Sequence, residues 1–271
     1  MSRYFAWSAP LILPAMEGPD FRLDGKAALV TGAGRGIGLG IARALAWAGC
    51  AVAIQDIELD VAQQGADAIN RAGGRAIALP GDITDLALPR KLIGQTVEQL
   101  GGLHVLVNNA AIQIEKRWTD FSLDEIHRVL DADFVSPILL CQEVAAIFTR
   151  QKFGRIINIG SIQQRVGNTD MLPYSMAKAA LENLTRGLAR VLAPDGITVN
   201  LLCPGYFNTW RNRDQFKTPQ DLIDRGREYV PQGHIGEPED CGGIALLLAS
   251  DAGSYITGQT IYVDGGMSVR L

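Results

Sequence analysis

Cysteine and histidine are scarce in this chain. Four cysteines (Cys50, Cys141, Cys203, Cys241) and three histidines (His104, His127, His234) are scattered over 271 residues. No CxxC pair occurs, and no set of ligands has the spacing of a structural zinc site. The pattern reads as reduced thiols in a cytoplasmic protein, with no metal expected. Basic runs are missing too. With 25 Lys+Arg against 29 Asp+Glu, the net charge is −4 and the pI near 5.4, which argues against nucleic acid as a partner. Repeats, low-complexity tracts and linkers are absent, so one domain is preferred over two. No segment has the length of a membrane span without charges, so no membrane partner is expected. The apolar start Met1–Met16 is broken by Pro10 and Pro14 and lacks the basic start of a signal peptide. It reads as an N-terminal arm, residues 1–20, ahead of a domain over residues 21–271.

What is abundant is short apolar runs alternating with helical patterns. Strands are expected at Lys26–Thr31, Ala51–Gln55, Arg75–Leu79, Leu103–Val107, Arg155–Ile159, Ile197–Leu202 and Thr260–Val263. Helices are expected at Gly36–Trp47, Glu58–Arg71, Asp85–Gln99, Ser122–Thr149, Pro173–Leu192, Thr218–Tyr229 and Pro238–Leu248. Near-continuous apolar strands are those buried on both faces. The reading is therefore an α/β fold, a Rossmann-type doubly wound parallel sheet of about seven strands with helices on both faces. The polar stretch Gly205–Gln232 reads as an irregular insertion over the ligand crevice.

The first strand runs into Thr31-Gly32-Ala33-Gly34-Arg35-Gly36-Ile37-Gly38 and then directly into a helix. Glycines let backbone approach a pyrophosphate without Cβ clashes, and the helix N-terminus offers free N–H groups to it. That context makes the string a dinucleotide signal. Asp56 closes the second strand, eighteen residues past Gly38, near the offset of the acid that binds the adenosine ribose. It favours NAD over NADP. Arg35, able to meet a 2′-phosphate, keeps NADP open.

Four further motifs follow the later strands: Asn108-Asn109-Ala110-Ala111, Ser161, the pair Tyr174 and Lys178 in a YxxxK, and Pro204-Gly205. With TGxxxGxG, they resemble the short-chain dehydrogenase/reductase family, over Phe21 to about Met267. Within it the PGYF-T string is similar to members acting on gluconate-like sugar acids. The resemblance implies a nicotinamide-dependent oxidoreductase acting on a secondary alcohol or ketone. Tyr174 is then the general acid/base, Ser161 orients the reacting oxygen, and Lys178 binds the nicotinamide ribose. Gly32, Arg35, Gly36, Ile37, Gly38, Asp56, Asp82, Ile83, Asn109, Tyr174, Lys178, Pro204, Gly205 and Thr209 are the implied cofactor residues. The physics agrees: residues i and i+4 share a helix face, and an ammonium beside a phenol of pKa about 10 favours its ionised form.

The chain departs from the family pattern at Asp133, where many members have Asn, and at Ala111, where Gly is usual. An ionised carboxylate accepts hydrogen bonds but does not donate them, and burying it costs energy unless it is paired. Asp133 is therefore carried as a catalytic-site residue with an altered proton relay. For substrate, Ser161, Gln163, Tyr174, Trp210 and Arg211 are the expected contacts, within a polar mouth that runs on to Arg213 and suits a polyol, sugar or sugar acid. The alternatives are a 3-oxoacyl or other small-ketone reductase, and a dinucleotide-binding regulator without turnover. The resemblance also implies a homotetramer or homodimer.

Overall fold

The computed structural model describes residues 18–215 and 218–270, without the side chains of 213–215. The expected arm, apart from residues 18–20, lies outside the described residues, as does the side chain of Arg213. Among the described residues, seven strands form one sheet: β1 (Ala27–Val30), β2 (Ala51–Asp56), β3 (Arg75–Pro80), β4 (Val105–Asn108), β5 (Gly154–Ile159), β6 (Ile197–Pro204) and β7 (Thr260–Val263). Their order is β3-β2-β1-β4-β5-β6-β7, and every pairing is parallel. The order reverses between β1 and β4, and ligands of open α/β sheets bind at the carboxyl ends of such neighbours.

Strand alternation explains the apolar runs. Ala28, Val30, Val52 and Ile54 point to one face, and Ala27, Leu29, Ala51 and Ala53 to the other. The first face packs on α1 (Gly36–Trp47), α2 (Leu59–Arg71) and α9 (Gly242–Ala249). The second packs on α3 (Leu88–Leu100), α5 (Ser136–Gln151) and α7 (Leu172–Leu192). Two helical faces thus bury both sides of the sheet. All four cysteines are buried and unbridged.

One sequence expectation is corrected. The helix expected over Ser122–Thr149 is α4 (Leu123–Leu130), a π-helical turn (Asp131–Val135) and then α5. The apolar period does not reveal the extra residue, because it only offsets the helix face. The combined stretch Leu123–Gln151 is long and apolar enough to cross a membrane by length and composition alone, although it carries charges such as Asp133, Glu143 and Arg150. Here Leu140, Val144 and Phe148 pack it onto the sheet. Within the segment 205–232, α8 (Pro219–Tyr229) forms where a helix is expected over Thr218–Tyr229, capped by Thr218 and Asp221, and a 3-10 turn (Trp210–Gln215) adds order before it. Between β5 and α7 lies a short α6 (Gln163–Val166).

Gly40 in α1 shows how tightly the faces close. A Cβ there would lie 2.4 Å from the Pro238 carbonyl oxygen. Gly to Ala inside a helix ordinarily stabilises by about 1 kcal/mol. Gly40→Ala will instead lower stability by about 1–3 kcal/mol in urea unfolding. Gly94→Ala in α3, where a Cβ meets nothing within 4 Å, will be neutral or stabilising. Equal effects from the two would refute the close α1–Pro238 seam.

Candidate active site

The switch point between β1 and β4 is locked by side chains. The Thr31 hydroxyl accepts the Asn109 and Ala110 N–H groups, both at 3.0 Å. The Asn109 amide donates to the carbonyls of Thr31 (2.8 Å) and Gly32 (2.9 Å). Gln55, buried in β2, accepts the Gly32 N–H at 3.1 Å and donates to the Gly81 carbonyl at 2.7 Å. The glycine loop is thereby preformed between three strand ends. Gln55 escaped the sequence reading because it carries no motif.

The loop fits a pyrophosphate by shape. Gly32 and Gly36 have φ of +59° and +60°, which side chains disfavour. At Gly36 a Cβ would find only Thr209, at 3.8 Å, so the space over the loop is open. At Gly38 a Cβ would meet the Asn109 amide at 2.5 Å, so only glycine permits that tie. No side chain caps the start of α1, which leaves its first N–H groups for an anion. These residues suit the phosphates of a nicotinamide dinucleotide. Ala111 keeps a negative φ, so its methyl fits where the family usually has Gly.

One cavity of about 810 Å³ joins this loop to the later motifs. Gly32, Arg35, Gly36, Ile37, Gly38, Asp56, Asp82, Ile83, Asn109, Pro204, Gly205 and Thr209 line it, and so do Ser161, Gln163, Tyr174, Lys178, Trp210 and Arg211. Of the site residues expected from sequence, only Asp133 is not on its wall. Asp56 accepts the Gly34 N–H at 3.2 Å, and Arg35 pairs with Glu58 at 2.8 Å. Trp210, expected beside the substrate, stacks on the Arg35 guanidinium, 3.8 Å from ring centroid to carbon, at the glycine-loop end. Arg211 crosses the cavity to the Ala111 carbonyl at 2.8 Å. Arg128 of α4 and Arg225 of α8 also line it, from elements with no motif to announce them.

At the other end β5 delivers Ser161 and α7 delivers Tyr174 and Lys178. The Ser161 oxygen accepts the Gln163 N–H at 3.2 Å, which leaves its own hydroxyl hydrogen for a ligand. The Ser161 N–H is held by Gln164 at 3.2 Å, and Gln164 by Glu182 at 2.7 Å. The Oε1 of Gln163 is buried without a protein partner.

Lys178 is almost wholly buried. Its Nζ donates to the Ile159 carbonyl at 2.9 Å and stands 3.0 Å from Asp133 Oδ1, an ion pair without hydrogen-bond angles. Asp133 Oδ2 accepts the Ile112 N–H at 2.8 Å. Burial pushes the Asp133 carboxyl up, against the pull of Lys178 and the Ile112 N–H. Burial alone would push Lys178 down, but the charge of Asp133, and Tyr174 after it, holds it raised. The buried carboxylate feared unpaired from sequence is thus paired directly with the amine.

A glycine cradle and a Ser, Tyr and Lys on one wall define a dinucleotide-dependent oxidoreductase site. Comparison with known proteins agrees. Residues 32–268 match the family model described as enoyl-(acyl carrier protein) reductase. The chain is 34% identical to 3-oxoacyl-(acyl-carrier-protein) reductase FabG of Aquifex aeolicus, over 92% of this chain and 99% of that one. It is 34% identical to 2-dehydro-3-deoxy-D-gluconate 5-dehydrogenase of Dickeya dadantii, over 92% and 98%. The crystal structure of a gluconate 5-dehydrogenase from Burkholderia cenocepacia, in complex with NADP and tartrate, superposes with a TM-score of 0.86 at 35% identity, covering 93% of this chain and 99% of that one. The chain belongs to the short-chain dehydrogenase/reductase family, and is an NAD(P)-dependent enzyme interconverting an alcohol and a ketone.

Gly38→Ala will weaken dinucleotide binding by at least about tenfold, because the methyl displaces the Asn109 tie that shapes the loop. Quenching or energy-transfer fluorescence of reduced cofactor measures it. Unchanged affinity would refute the cradle.

Proposed function

We propose that the protein oxidises a secondary hydroxyl of a sugar acid, or reduces the corresponding ketone, with NAD(H) as the preferred cofactor. The observation that carries this reading is the shared cavity: Ser161, Tyr174 and Lys178 on the same wall as the glycine loop. When bound, a nicotinamide dinucleotide supplies the hydride acceptor or donor. Tyr174 takes the hydroxyl proton in oxidation and returns it in reduction. The Ser161 hydroxyl holds the reacting oxygen beside Tyr174. Lys178 stabilises the phenolate and binds ribose hydroxyls.

Charge and polarity support the substrate class. Arg128, Arg211 and Arg225 give the cavity three guanidinium groups, and Gln113, Gln163 and Asn168 give it amides. A carboxylate with several hydroxyls meets such a wall with charge-assisted and neutral hydrogen bonds. A long acyl chain would leave those polar groups unpaired. The relatives named for gluconate substrates point the same way.

The cofactor preference rests on Asp56 and on the engagement of Arg35. A 2′-phosphate would meet the Asp56 carboxylate, and Arg35 is already matched by Glu58 and Trp210. The NADP of the Burkholderia relative belongs to that protein. A small molecule is the only partner this reading needs, in the cytoplasm, with no nucleic acid or membrane. The exposed apolar side chains of Leu123 on α4 and of Met176 and Val191 on α7 support assembly as a homotetramer or homodimer.

Turnover of a sugar-acid panel, followed by absorbance of reduced cofactor, tests the reading. Tyr174→Phe will lower kcat by about 10²–10⁴, with cofactor affinity changed far less than turnover. The ratio of kcat/KM for NAD over NADP will exceed about ten. Undiminished turnover in the Phe variant would sink the catalytic assignment. Faster reduction of a 3-oxoacyl thioester than of any keto-sugar acid would replace the substrate class, and tight binding with no turnover would make the protein a regulator.

A further inference from the structure

Asp133 stands off the cavity wall, yet it is fixed to the amine on that wall. The π-helical turn carries it, and two donors converge on it: the Ile112 N–H on Oδ2 and the Lys178 ammonium beside Oδ1. Asparagine would not reproduce this, because its NH₂ would face one of two donors. The carboxyl thus stands at ion-pair distance from a buried ammonium.

We propose that Asp133 is a positioning residue that sets the pH range of the site, its charge cancelling part of the field with which Lys178 favours the Tyr174 phenolate. The proposal rests on the reading of Tyr174 as the acid/base group. Its consequence has a definite sign. A negative charge nearby favours the neutral phenol, so Asp133 keeps Tyr174 protonated to higher pH than an uncharged residue would. Reduction of a ketone needs the phenol, and oxidation of an alcohol needs the phenolate. Asp133 therefore extends ketone reduction to higher pH and delays alcohol oxidation. At an effective dielectric of about 20, one charge several ångströms away shifts a neighbour by about one pH unit or more.

The other groups facing the pair do not supply that negative charge. Arg211, from the segment after β6, acts on both Asp133 and Lys178 and adds positive field. Arg128 of α4 lines the same cavity. Cys203 of β6, which also feels Lys178, is pushed up to about 12, first by burial, and stays a neutral thiol.

The test is the pH dependence of kcat and kcat/KM, in both directions, for the wild type, Asp133→Asn and Asp133→Ser. Serine leaves room for a water between the two donors and keeps the test open if the Asn variant does not fold. The acid limb of oxidation and the alkaline limb of reduction will both move down by about one pH unit or more, with substrate KM little changed. Limbs that stay in place in a folded, active variant would overturn the proposal, since Asp133 would then be neutral or too well screened to matter. A uniform loss of rate at every pH would also overturn it, by showing a purely structural role. Retained turnover in Tyr174→Phe is a separate outcome that would remove the reading underneath.

Discussion

A buried positive charge organises this molecule. The Lys178 ammonium is almost fully removed from water, and an unpaired charge there would cost several kcal/mol. Two groups meet it: the Ile159 carbonyl at the end of β5 and the Asp133 carboxylate. For both to reach it, α7 must cross the end of β5 and the α4–α5 helix must widen into a π-helical turn. Asp133 in turn fixes the Ile112 N–H and with it the cavity wall after β4. Satisfying one charge sets the relative positions of three elements around the cavity.

The opposite end of the cavity depends on a different economy of contacts. Thr31, Asn109 and Gln55 bind backbone groups of the glycine loop and leave the first N–H groups of α1 uncapped. These hydrogen bonds hold the loop in place without a ligand, which lowers the ordering cost that binding must meet. The Arg35–Glu58 pair and the Trp210 stack then join the segment after β6 to that loop. One face of the cavity is thus shaped by backbone and the other by charged side chains.

Much of this was legible in the chain. Strands buried on both faces read as unbroken apolar runs, and the glycine string between a strand and a helix carries its own geometry. Tyr174 and Lys178 share a face because i and i+4 always do. The rest depends on tertiary contacts that no local pattern records. The π-helical turn leaves the apolar period nearly intact, so the sequence marks Asp133 as a catalytic-site departure from Asn but not as the direct partner of Lys178. Gln55 looks like any strand polar residue until its two backbone partners are known. Arg128 and Arg225 come from helices about a hundred residues apart. Trp210 lines the cavity as its place after the Pro204-Gly205 turn implies, but its stack on the Arg35 guanidinium is a tertiary contact that no motif records.

The proposed function requires a hydride to pass directly between a secondary carbinol carbon and a nicotinamide ring in this cavity while Tyr174 handles the proton. The most direct measurement is isotope transfer from a sugar acid deuterated at its secondary carbinol carbons. Deuterium will appear on the nicotinamide ring of the reduced cofactor, seen by NMR, and kcat/KM will show a normal primary isotope effect. Reduced cofactor free of deuterium, with no isotope effect, would contradict it.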